Sequence, residues 1–382
     1  MRLFAENSRQ VAAACGMWLP EMQSLALSPR LRLLRRRARL AAALRAWVRT
    51  SEVAVVLLSV GIGAGVGVLA WGMGAAAGLL HTLLFDLDPG VRLSAATFVG
   101  GWRLLLVPAL VGLTLALLNR VIARWRPKSP VDPIEANALH GGRMTLADAA
   151  VVGAQTVVSN GFGASVGLEA GYAQAGGGLA SRLGAAFALR RGDMRILVGA
   201  GTAGAIGAAF NAPLTGAFYA FELVIGTYSI ASLFPVVASA VTAVLVARAL
   251  EAGSYAVEVG GPSVVDFRDY PLALLVGVLC GLTAIVLMRG VSLTERALAR
   301  ALPSPVLRLV VGGLAQISPV ALSSGHGALH MAFVTEAPAW PVLALLVVKS
   351  LASMISIGTG FRGGLFFASL LIGALGGKLF AG

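Results

Sequence analysis

The feature that most constrains this chain is a set of long segments without any Asp, Glu, Lys or Arg. The longest are Val53–Phe85, Ile196–Phe221, Leu223–Ala247 and Leu309–Thr335. A helix needs about 20 consecutive apolar residues to cross the hydrocarbon core of a bilayer, and these segments exceed that length. Only 12% of all residues are charged, which is too few to cover a water-exposed surface. The sequence therefore predicts an all-α polytopic membrane protein.

The positive charge of the chain is concentrated near its N-terminus. The net charge is +13, and residues 1–50 hold ten arginines against Glu6 and Glu21. A nucleic-acid-binding segment would place aromatic residues among its arginines, but the block 30–49 contains only Trp47. We interpret 1–51 as a basic cytoplasmic segment held at anionic headgroups, without a nucleic-acid partner. An organellar transit peptide is the alternative.

The loop charges predict the orientation of the first two spans. Four basic residues lie within 120–128, after the second predicted span, and basic loops face the cytoplasm in most membrane proteins. The N-terminus is therefore expected in the cytoplasm, with Asp86 and Asp88 on the opposite side. The expected location is the inner or plasma membrane, crossed several times.

Glycine divides the apolar segments into two kinds. The alternating glycines of Gly61–Gly67 are typical of close helix packing through small residues. In Ser159–Gly178 glycine is too dense for a continuous helix, and irregular backbone at membrane depth must be buried in protein or line a cavity. Transporters use such broken helices to point helix ends at a central ion site. The N-terminus of a half-helix there would favour an anion.

This glycine-rich segment contains one carboxylate, Glu169. An ionisable side chain inside a membrane is costly and is a candidate for a functional role. The alternative is a glutamate that caps a half-helix without titrating, which would still mark the anion site. Glu222 is a second candidate, and its alternative is an interhelical ion pair or hydrogen bond.

Three motifs resemble those of the CLC family of voltage-gated chloride channels and proton–chloride antiporters, in its bacterial type. Gly167-Leu-Glu-Ala-Gly171 is similar to the family's glycine–basic–glutamate–glycine–proline motif. The stretch Gly199–Gly216, which ends in Asn-Ala-Pro-Leu-Thr-Gly, is similar to the segment that follows it, and Glu222 falls on a family glutamate. Gly363–Ala368 resembles the family's glycine–isoleucine–phenylalanine–alanine–proline motif. The resemblance covers about residue 52 to the C-terminus.

The resemblance implies a homodimer with one pore per subunit and an inverted-repeat fold with broken half-helices. The first transmembrane repeat would span 52–250, the linker 251–269 and the second repeat 270–382. Glu169 would be a protonatable gate that competes with chloride for half-helix amides. The implied anion-binding positions are Leu168, Ala170, Pro130, Leu365, Phe366 and Phe367.

The sequence also departs from the family pattern. Pro130 stands where the family places an anion-contacting serine, which implies a preference for nitrate over chloride. Leu223 stands where proton-coupled members carry a second glutamate, which favours passive conduction over proton antiport. The second repeat is expected to be incomplete, as in a C-terminally truncated chain. The alternatives are therefore a non-conducting membrane scaffold, a nitrate- or fluoride-preferring protein, or a proton-coupled antiporter.

Other constellations give little support to catalysis or metal binding. His326 and His330 lie four residues apart, but no third ligand lies near them and Gly325 and Gly327 favour a turn. Nucleophile-elbow, metalloprotease and phosphate-loop motifs are absent from the sequence. We expect no enzymatic activity, no cofactor and no bound metal.

Overall fold

The structure is a computed structural model. It describes residues 39, 42–88, 91, 93–96, 101–125, 129–250, 266–267, 269–300, 314, 318–329 and 338–381. The predictions for most of the basic segment 1–51, for nearly all of the linker 251–269 and for His330 lie outside these residues. The chain divides into two compact units, Met1–Ser51 and Glu52–Gly382. The described part of the first unit contains a helix over 42–50.

The second unit is helical, and its described residues contain no β-strand. The helices in chain order are α1 Glu52–Phe85, α2 Gly101–Trp125, α3 Pro133–Leu139, α4 Leu146–Gly161, α5 Glu169–Ala186, α6 Arg191–Phe210, α7 Pro213–Tyr219, α8 Ile230–Leu250, α9 Asp269–Arg300, α10 Ala339–Gly358 and α11 Phe366–Ala381. Short 3-10 turns occur at Leu93–Ala95 and Pro319–Ala321. The predicted all-α class is confirmed.

Several of these helices suit a bilayer. Four helices among the described residues are long and apolar enough to cross a membrane, and they lie within α1, α8, α9 and α10. A spanning helix satisfies its backbone hydrogen bonds internally, which a bilayer core requires. The protein is therefore a multi-pass membrane protein, as the uncharged segments predicted.

Small residues let the helices approach closely. A side chain at Gly63 or Gly67 of α1 would collide with the backbone of Ser239 or Ala243 in α8. A side chain at Gly176 of α5 would likewise collide with the backbone of α6. The glycine-rich segment 159–178 is thus interrupted only between α4 and α5, and its second half is helical because α6 packs directly on its glycines.

The long uncharged segment Ile196–Phe221 forms two helices rather than one span. Asn211 ends α6 in the left-handed conformation, with φ of 53°, and Pro213 begins α7 at a position where its missing N–H costs nothing. A π-helical turn, Ala220–Ile225, continues α7. Hydropathy alone does not reveal this break, because the residues at it are uncharged.

Candidate functional site

The candidate site lies where the N-termini of α5 and α11 meet. The segments before these helices pair in antiparallel fashion at Gly167 and Gly364. Gly167 N donates to Gly364 O at 2.8 Å, and Gly364 N donates to Gly167 O at 3.1 Å. Two residues after each glycine a helix begins, at Glu169 and at Phe366. This pairing brings two helix N-termini, with their unpaired N–H groups, to one point inside the protein.

The Glu169 side chain is held at this point and is only 6% exposed. Phe367 N, in the first turn of α11, donates to Glu169 Oε1 at 3.0 Å. Glu169 Oε2 is buried without a hydrogen-bond partner. A Cβ atom at Gly167 or at Gly364 would collide with the carboxylate. Both glycines are therefore needed for the close approach of the Glu169 side chain to the helix ends.

Two opposing effects act on the charged form of Glu169. The Phe367 amide and the positive end of the α11 dipole stabilise a carboxylate. Burial removes the water that would otherwise solvate it, which destabilises the charge. A negative charge at this place therefore experiences both effects.

Five of the other predicted anion-binding residues lie beside Glu169 on the chain or at the start of α11. Leu168 and Ala170 flank it on the chain, and Leu168 O accepts a hydrogen bond from Tyr172 N at 2.9 Å. Leu365 directly precedes α11, and Phe366 and Phe367 are its first two residues.

Pro130 and Glu222 lie in different surroundings. Pro130 precedes α3, and its ring leaves it without an N–H to donate. The segment after Pro130 is tied to α5 by Gln174 Nε2, which donates to Val131 O at 2.8 Å. Glu222 is exposed on the π-helical turn, where it accepts a hydrogen bond from Tyr228 Oη at 2.9 Å. Tyr228 lies in the loop before α8, so this bond is local and not the interhelical contact considered for Glu222.

A cluster of aromatic rings covers the start of α11. The Phe210 ring, at the end of α6, lies 4.6 Å from the Phe366 ring and 4.3 Å from the Phe367 ring, between centroids. The His326 ring packs against the Phe367 ring, with 3.1 Å between the two centroids. The sequence analysis assigned no role to Phe210 and considered His326 only as a metal ligand.

A polar seam joins the residues before α5 to distant parts of the chain. Asn160 Nδ2 donates to Val166 O at 2.7 Å and to Ser323 Oγ at 3.2 Å. Ser165 N donates to Ser356 Oγ at 3.0 Å, and the hydroxyl groups of Ser165 and Ser353 lie 2.9 Å apart. These bonds hold the irregular loop that presents Glu169, since its buried N–H and C=O groups need partners.

Lys349 is a residue that the sequence analysis missed. It lies within α10, is fully buried, and donates from Nζ to Ser323 O at 2.7 Å. In the sequence, this one lysine interrupts the uncharged segment that would otherwise have marked α10 as a membrane span. A single lysine within an otherwise apolar helix is a signal that the sequence does carry.

Comparison with known proteins identifies a protein family and a relative that carry the same description. The profile of the family described as voltage gated chloride channel matches residues 110–382. ClcB of Escherichia coli (strain SMS-3-5 / SECEC), named a voltage-gated ClC-type chloride channel, is 31% identical over 317 residues, which cover 79% of this chain and 74% of ClcB.

Two solved structures have a similar fold. A slow cyanobacterial Cl⁻/H⁺ antiporter matches with a TM-score of 0.68 and 19% identity, over 82% of this chain and 76% of the antiporter. A CLC-type fluoride/proton antiporter matches with a TM-score of 0.69 and 21% identity, over 86% of this chain and 80% of that protein.

Proposed function

Because the chain belongs to the voltage-gated chloride channel family, also called CLC, we propose that it carries chloride or a similar small anion across a cell membrane. The proposal includes the homodimer and the cytoplasmic N-terminus that the resemblance implies. The observation that carries it is the hydrogen bond from Phe367 N to the buried Glu169 carboxylate. A carboxylate held at a helix N-terminus occupies the kind of site that binds free anions.

In this proposal Glu169 is the gate of the anion pathway. As a carboxylate it occupies the amide site at the start of α11 and excludes an incoming anion. Protonation removes its negative charge and weakens its bond to the Phe367 amide, because hydrogen bonds to charged acceptors are the stronger ones. The side chain then leaves, and the anion takes over the amide. Gly167 and Gly364 leave the room in which this exchange occurs.

We further propose passive conduction without stoichiometric proton coupling. Leu223 cannot carry a proton, and its side chain is 51% exposed. The neighbouring Glu222 is also exposed and bonded to Tyr228. Because Pro130 lacks an N–H and a hydroxyl, it supplies no donor that would select chloride, so nitrate is expected to pass as well.

The test is anion efflux from liposomes that contain the purified protein, recorded with a chloride-selective electrode at neutral and at acidic pH. The unmodified protein should release chloride faster at acidic pH, since protonation frees Glu169 from its site. Glu169→Gln should conduct at both pH values with little difference between them. Glu222→Gln is the matched control and should behave like the unmodified protein.

Three results would each contradict one part of the proposal. Efflux no faster than from protein-free liposomes would remove anion conduction. An unchanged pH response in Glu169→Gln would remove the gate while leaving conduction in place. Proton uptake driven by a chloride gradient, recorded in the same liposomes with a pH electrode, would replace passive conduction by antiport.

A further inference from the structure

The protein interior contains a lysine that the proposed gating step does not use. Lys349 in α10 has no exposed surface, and its Nζ lies 2.7 Å from Ser323 O and 3.5 Å from Ala321 O. Among the described residues, the buried acidic and basic side chains are those of Glu169 and Lys349. When both groups are ionised they carry opposite charges, and a Coulombic attraction acts between them.

Lys349 stabilises an unusual backbone conformation at Ser323. This residue has a φ of 54°, in the left-handed region that residues other than glycine rarely adopt. Ser323 N donates to Gly163 O at 3.3 Å, its Oγ accepts from Asn160 at 3.2 Å, and its carbonyl accepts from Lys349. Each polar group of Ser323 therefore has a partner, and together these bonds hold a conformation that costs energy.

The same bonds connect Lys349 to the loop that presents Glu169. Asn160, which contacts Ser323, also donates to Val166 O at 2.7 Å. Val166 directly precedes Gly167, which pairs with Gly364 at the candidate site. A path of hydrogen bonds through Ser323 and Asn160 thus links the Lys349 ammonium to Val166, three residues before α5.

Lys349 also acts through its charge, in addition to holding the Ser323 backbone by a hydrogen bond. A buried ammonium without a nearby negative charge is strongly disfavoured. While Glu169 is ionised, its carboxylate compensates Lys349. Once Glu169 is protonated, only an anion that enters the site restores the balance. The lysine therefore favours occupation of the site by a negative charge, whether carboxylate or free anion.

We propose that Lys349 is a positioning residue for the anion site: it holds the Ser323 turn, and its ammonium group helps to retain an anion in the Glu169 site. This inference rests on the proposed function, because it assumes that an anion replaces the Glu169 carboxylate. It differs from a purely structural role in one respect. Removal of the lysine charge should weaken anion binding even when the protein remains folded.

The test compares chloride binding by isothermal titration calorimetry to Glu169→Gln and to the double variant Glu169→Gln/Lys349→Met, both in detergent. Replacing Glu169 first removes the competing carboxylate, so that the measured affinity reports the site itself. The double variant should bind chloride about tenfold or more weakly, the effect of one nearby opposite charge on an anion. Lys378→Met in the Glu169→Gln background makes the same substitution in the last turn of α11 and should leave the affinity unchanged.

Thermal unfolding of the same variants shows whether a loss of chloride binding comes from the missing charge or from a loss of folded protein. Lys349→Met alone leaves Glu169 without its counter-charge, so it should unfold at a lower temperature than the double variant, in which both charges are gone. If the double variant failed to fold while Glu169→Gln folded, the compensation between the two charges would be refuted.

Two further outcomes distinguish this inference from the proposed function. Equal chloride affinities in Glu169→Gln and the double variant would overturn the role of Lys349 and leave the gate intact. Absence of chloride efflux and of chloride binding in the unmodified protein would overturn the proposed function itself.

Discussion

Gly364→Ala should close the anion site both to the Glu169 carboxylate and to a free anion. A Cβ atom at Gly364 would collide with Glu169 Oε2 and would lie 3.1 Å from both Cβ and Cδ of the same side chain. The atom in collision belongs to the end of a flexible side chain, and the contact with Glu169 Cβ needs a shift of only a few tenths of an ångström. A free anion at the Phe367 amide would meet the same methyl group. Gly364 is also not one of the left-handed glycines, so alanine fits its backbone conformation. The carboxylate should therefore move away while the fold remains.

The size of the effect follows from the bond that is lost. The hydrogen bond from Phe367 N to Glu169 is 3.0 Å long, and a bond to a charged group contributes about 1.5–3 kcal/mol. Since about 1.4 kcal/mol corresponds to a tenfold change in an equilibrium constant, an anion that loses the same bond should bind roughly 10- to 150-fold more weakly.

The assay is chloride titration by calorimetry, together with efflux from liposomes at neutral pH, where Glu169 normally blocks the site. Gly364→Ala should bind chloride more weakly and release it more slowly than the unmodified protein. Gly373→Ala lies on the same helix in open space and should leave both quantities unchanged. An affinity and a pH response equal to those of the unmodified protein would refute the steric reasoning.

Three other substitutions have expected outcomes that can be measured. Asn160→Ala leaves two buried acceptors without their donor, so thermal or denaturant unfolding should report a loss of about 2–6 kcal/mol at roughly 1–3 kcal/mol for each. Gly176→Val would collide with the carbonyl of Gly201. It should separate α5 from α6 and give aggregated protein in size-exclusion chromatography, whereas Gly192→Ala, in open space, should remain monodisperse. Glu222→Gln changes an exposed side chain and should alter the stability by no more than about 0.5 kcal/mol in the same unfolding assay.

The helical class and the membrane location could be predicted because both depend on composition along the chain. An uncharged segment such as that of α1 has one stable environment, the bilayer, and one stable backbone there, the helix. The break before Glu169 was also predictable from its glycine density. The helical state of the following glycines was not, because it depends on the close approach of α6 to Gly176.

The sequence by itself determined that this is a multi-pass helical membrane protein and that Glu169 is an unusual carboxylate within it. Both conclusions follow from the cost of placing charge in hydrocarbon, which local composition records. Only the tertiary structure decided what the carboxylate contacts. Glu169 and Phe367 are 198 residues apart, and the Lys349 bond to Ser323 spans 26 residues. These contacts arise from the pairing of Gly167 with Gly364 and from helix packing, because an irregular loop inside a membrane must find its hydrogen-bond partners elsewhere in the protein.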